Sequence, residues 1–153
     1  MYLELLTALE QSWLGHTARH SAWLFTIDNV LHVLGAALVV GAIAVFDIKL
    51  IRDPQNAPDV GRVALPLAAL GLAIQIPTGI VLLAVEARAL GTNPAFYVKM
   101  AFIALGIINL AFFHLRYGWV GGRALPESAR VHGAVSLVAW VMVLLAGRMI
   151  AYI

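Results

Sequence analysis

Cysteine is absent from all 153 residues. That excludes a disulfide framework, a thiolate-held metal and a thioether-attached haem. Charge is scarce as well: 12% of residues are Asp, Glu, Lys or Arg, against roughly 25% in a soluble globular domain. So few charges cannot cover a water-facing surface. The net charge of +2 comes from scattered arginines and not from a basic stripe, so no nucleic-acid partner is expected. Several enzyme templates are missing too: a glycine-rich phosphate loop, HExxH and a nucleophile elbow. Ser12, Ser21, Ser128 and Ser136 have no recognisable base and orienter in the sequence, which argues against a hydrolase.

What the chain has is apolar length. Hydrophobic residues make up 62%, and the mean hydropathy is +0.91. Four apolar runs fall at about 23–50, 63–85, 96–115 and 131–153. Each supplies the ~20 residues that ~30 Å of hydrocarbon requires of a helix. The connections carry breakers: Pro54 and Pro58, then Gly91, then Gly118, Gly121, Gly122 and Pro126. Short connections between four spans predict an all-α, integral membrane, up-down-up-down four-helix bundle of one domain, with the lipid bilayer as first partner. Pro66 falls in the first turn of the second span. Pro77, mid-span beside Gln75 and Thr78, is expected to kink it. Small residues should mark the helix contacts, here Gly35, Ala42, Gly71, Gly79, Gly106, Gly133 and Gly147.

Residues 1–22 read differently. Leu5, Leu6, Leu9 and Trp13 recur at helical spacing between polar residues, predicting a short interfacial helix. The stretch lacks the basic n-region and continuous apolar core of a cleavable signal. His16 and His20, one turn apart beside Arg19, suit either a metal clamp or headgroup-facing side chains. Lys49, Arg52, Arg62, Arg116, Arg123 and Arg130 fall on one side of the spans, and Arg19, Arg88, Lys99 and Arg148 on the other. This bias places the first and third inter-span loops in the cytoplasm and both termini on the periplasmic side.

Chemistry concentrates near residues 28–35, DNVLHVLG. Asp28 and His32 share one helix face, and ionisable groups inside a membrane are functional hypotheses by default. Antiparallel spans bring Asp28, Glu86, Lys99 and Arg148 to one face at similar depth, with His32 a turn deeper. Two acids and two bases can neutralise one another there. Alternatively Lys99 and Arg148 hold an anionic ligand above His32, and haem b meets that description. Its propionates want cations, its iron wants an imidazole, and its macrocycle wants a flat slot such as the one beside Gly35. Met142, at the depth of His32, is one candidate for the sixth ligand; His32 of a second subunit in a homo-oligomer and a five-coordinate iron are the others. His114 and His132 form a second candidate pair near the cytoplasmic face, where the competing reading is two solvated, unliganded side chains. Asn109 and Gln75 read as interhelical hydrogen-bond partners.

These residues also carry a resemblance. The chain resembles a bacterial four-span inner-membrane family of unknown function through Leu31-His32-Val33-Leu34-Gly35, Asp47 with Lys49, and Pro77-Thr78-Gly79. The likeness continues through Asn93-Pro94-Ala95-Phe96 with Lys99, Asn109 and His114, and ends in Ala146-Gly147-Arg148 with Ala151-Tyr152. It implies the four-span architecture and a bacterial inner membrane, and no function. Histidine placement adds an analogy to small four-helix b-type cytochromes, although the several paired mid-span histidines of two-haem members are absent. The expected function is that of a membrane haem b protein passing electrons to or from quinone or a redox partner protein. His32 would be its axial ligand, Lys99 and Arg148 its propionate anchors, and Asp28 would receive the imidazole N–H or pair with Arg148. The alternatives are a non-redox accessory subunit or small transporter using Asp28, Glu86, Lys99 and Arg148 as a charge network, and a copper or other metal site at His32.

Overall fold

The computed structural model describes residues 1–118 and 124–153. Gly121, Gly122 and Arg123, read above as turn and topology residues, lie outside the described residues. The described residues form helices and connections, with no strand among them. Helices α1 (Tyr2–Glu10) and α2 (Trp13–His20) precede α3 (Ala22–Arg52). A 3-10 turn (Pro54–Asn56) leads into α4 (Ala57–Val85), followed by α5 (Ala87–Thr92), α6 (Pro94–Tyr117) and α7 (Ala129–Met149). α3, α4 with its preceding turn, α6 and α7 are each long and apolar enough to cross a membrane.

Local chemistry sets the boundaries. Asp53 takes a hydrogen bond from the Asn56 backbone and another from Lys49 Nζ at 2.8 Å. The second span therefore starts as a helix at Ala57, six residues before its apolar run, with Pro58 in the first turn where no amide bond is lost. Asn93 caps α6 through Ala95 N at 2.9 Å, and Pro94 follows it. Helix α7 stops at Met149, earlier than the apolar run, and Tyr152 turns back so that its hydroxyl accepts from Arg148 at 2.7 Å. Helix α4 continues through both Pro66 and Pro77. One residue after Pro77, the Thr78 hydroxyl reaches back to Ile74 O at 2.7 Å and Gln75 O at 3.2 Å.

The N-terminal stretch is two helices where one was expected. Ser12 ends the first by bonding Leu9 O at 2.6 Å and caps the second by accepting from Gly15 N at 3.2 Å. Together they close one end of the bundle. Gly15 lies against Ala84 O so closely that a Cβ would approach to 2.6 Å, and Arg19 donates to Val85 O at 2.7 Å, capping α4. Tyr2 and Tyr97 meet at 3.0 Å over Gly91 O, which docks α1 on the α5 connection. Asn93 Nδ2 donates to Ile150 O at 3.2 Å, so both chain termini gather at this same end.

The long helices pack in the order α4, α3, α7, α6. Paired residues run antiparallel at each contact: Gly35 and Val39 meet Gln75 and Gly71, Asp47 meets Gly133, and Asn109 meets His132. Glycine permits the closest approach. A Cβ on Gly71 would fall 2.8 Å from Val39 N, so α3 and α4 touch backbone to backbone. The outermost helices, α4 and α6, lack a packed interface among the described residues. The buried core sits at the far end from the termini, where Phe46, Leu50, Ala64, Phe113 and Ala129 cluster and Phe46 meets Phe113 edge-on at 6.3 Å. Large side chains such as Val33, Val63, Phe112 and Leu115 face outward.

Candidate functional site

Two polar clusters stand in this apolar frame, one at each end. At the terminal end, the ring of His32 lies between α3 and α4. Its Nδ1 is 2.9 Å from Thr78 Oγ1. A Thr78 proton directed at Ile74 O, 2.7 Å away, or at Gln75 O, 3.2 Å away, leaves the threonine oxygen to accept from His32 Nδ1–H. That tautomer leaves a lone pair on Nε2, which is how a ligating histidine is ordinarily held. Gly79 packs on the ring, with a Cβ position 3.3 Å from His32 Cε1. Lys99 reaches inward from α6 along Gly147 of α7, its Nζ 3.6 Å from the Cβ position there, close enough for its charge to act on His32. Asp28, one turn before His32, is 8% exposed, and its Oδ2 has no hydrogen-bond partner.

The expected residues divide. His32 lies against Thr78 and Gly79 of α4, and Lys99 lies along Gly147 of α7. Arg148 is exposed, bonded to the Tyr152 hydroxyl and 5.0 Å above its ring, and Glu86 is exposed at the start of α5. No ion pair joins Asp28, Glu86, Lys99 or Arg148 among the described residues. The ion pairs present are local or lie near helix ends: Lys49 with Asp53, Arg130 with Glu127, Arg19 with Glu10 and the N-terminus with Glu4. Gly35 does not border an open slot: a Cβ there would meet Gly71 O and the Gln75 side chain at 3.1 Å, because α4 fills that face. Met142 is half-buried on α7. His16 and His20 bring their rings to 4.2 Å on the exposed face of α2. No group of three or more His, Asp or Glu side chains able to hold a metal ion occurs among the described residues.

The second cluster surrounds a cavity of about 540 Å³ in the space that α4 and α6 leave open. Asp47 and Phe46 of α3, Asn109 and His114 of α6, and His132 and Ser136 of α7 are in its wall. His114 and His132 thus line one space, as their expected depths implied. Asn109 and His132 exchange two bonds: Asn109 Nδ2 donates to His132 O at 3.0 Å, and Asn109 Oδ1 accepts from His132 Nδ1 at 2.9 Å. His114 Nδ1 donates to Leu110 O at 2.9 Å. Asp47 is 3% exposed beside Ser136, and its Oδ2 has no partner. Asp47 and Ser136 are site residues that the sequence does not single out; the available signal was a second carboxylate in the first apolar run, two residues before Lys49.

No known protein family, curated protein or solved structure matches the chain.

Proposed function

We propose that the protein is a multi-pass, up-down-up-down membrane bundle of a bacterial inner membrane, with both termini periplasmic, that holds haem b through His32 and takes part in electron transfer. The observation that carries this reading is the His32–Thr78 contact: with Nδ1–H donated to Thr78, Nε2 is free to ligate, and Lys99 adds a half-buried cation beside Gly147. Bound haem supplies a one-electron couple. The chain's own residues do the rest. Thr78 holds the imidazole in one tautomer and one orientation. Lys99 offers a desolvated positive charge to a propionate, and Asp28 sets the charge balance beside the ligand. Arg148, paired with Tyr152, must leave that ring to serve as the second propionate anchor. The face at Gly35 is filled by α4, so the expected slot for the macrocycle is not there.

The charge-network alternative loses its basis in pairing, since its four residues form no ion pairs with one another. The test is a visible spectrum of the purified protein, oxidised and then dithionite-reduced. A Soret band with a sharp reduced α band, lost in His32→Ala, is the expected result. A folded protein with no visible band after haem-supplemented expression, and no metal on analysis, overturns it.

A further inference from the structure

The cavity between α4 and α6 is separate from His32 and plays no part in ligating the haem proposed there. Its volume, about 540 Å³, is that of a small-molecule site. Its walls are mostly apolar and include the rings of Phe46, Phe113 and Trp140. Its two most telling polar groups are acceptors. The Asp47 carboxyl has the Ser136 hydroxyl beside it, and its Oδ2 is buried without a donor among the described residues; His132 keeps its hydrogen on Nδ1, bonded to Asn109, so that Nε2 accepts. A buried acceptor without a donor is costly unless a ligand supplies one.

We infer that this cavity binds the ring of a hydroquinone, whose hydroxyls donate to Asp47 and His132 and whose alkyl tail leaves between α4 and α6. The aromatic walls suit a flat ring, and the missing α4–α6 interface provides the lateral exit. A hydrophobic amine also brings donors, but Arg62 lines the same cavity and the charge of Arg116 acts on His132, which disfavours a second cation. As a source of electrons the bound quinol rests on the haem reading; as a binding site it stands by itself.

The test measures quenching of tryptophan fluorescence by decylubiquinol in protein-loaded nanodiscs under reducing conditions, with empty discs subtracting partition into lipid. Saturable binding is expected, weakened about tenfold in Asp47→Leu, the scale of one lost hydrogen bond. The oxidised decylubiquinone, which carries acceptors only, should bind weaker by a similar factor. Ala69→Trp, which fills the cavity from α4 and leaves Asp47 in place, should block binding, and it decides the matter if Asp47→Leu does not fold. Non-saturable quenching, equal binding of quinol and quinone, or Asp47-dependent displacement by dodecylamine overturns the proposal. His32→Ala separates the two readings, since it should remove any α band and leave quinol binding unchanged.

Discussion

His32 Nδ1 and Thr78 Oγ1, on different helices and 46 residues apart, lie 2.9 Å from each other. The same hydroxyl reaches Ile74 O and Gln75 O, so one side chain contacts both the imidazole and the backbone of α4 next to Pro77.

Thr78→Val keeps the shape and removes the acceptor. The Nδ1–H of His32 is then left without a partner inside the bundle, at a cost of roughly 1–3 kcal/mol. Thermal unfolding should show that loss. If haem is bound, the variant should also retain less of it per protein, measured by the ratio of Soret to protein absorbance. A spectrum and stability identical to the parent would mean that Thr78 does not orient the ring.

The α3–α4 contact should tolerate nothing larger than glycine at residue 71. Gly71→Leu forces a side chain into Val39 N and Gly35 O, and overpacking of this kind costs about 1–3 kcal/mol. Gly41→Ala is the internal control, since no atom lies within 4 Å of the added methyl; its effect should stay within about 0.5 kcal/mol. Melting temperatures of the two variants, compared in the same detergent, check this directly.

Asn109→Leu removes both bonds that tie α6 to α7 at His132. The donor on His132 Nδ1 is orphaned, while the His132 carbonyl keeps its helical bond within α7, so about 1–3 kcal/mol should be lost. Hydrogen exchange should quicken first in the opening turns of α7, while the α3–α4 pair keeps its protection. Uniform loosening of all four helices would show that the Asn109 bonds are not local.

At the connection between α3 and α4, the hydrogen bond from Lys49, with those from Asn56, holds the Asp53 carboxyl below its ordinary value. A depressed folded value means that the capping contribution is complete above the unfolded pKa and fades as pH falls through the folded one. Asp53→Ala should therefore lower the melting temperature at pH 7. The gap to the parent should narrow as pH drops below about 4. A gap that stays constant down to pH 2 would assign the effect to helix propensity and not to the charged cap.

Much of the architecture was legible because its causes are local. Four runs of lipid-crossing length announced four long helices, and capping residues moved their ends by only a few positions. Rise per residue is constant, so counting from helix ends puts His114 and His132 at similar depth, and the two line one cavity. Direction around each helix axis was not legible. Arg148 has the right depth and faces outward to Tyr152, and Gly35 is a contact glycine with no slot beside it.

Composition and run length by themselves determined an all-helical chain with four helices fit to cross a membrane, because burying backbone polar groups in apolar surroundings leaves helix as the local solution. Tertiary structure alone decided which polar groups meet. Thr78 faces His32, Asp47 faces a cavity, and α4 stands apart from α6, because backbone approach at Gly35 and Gly71 sets the rotation and register of each helix against its neighbour. That approach is a relation between residues 36 positions apart, which no window along the sequence contains.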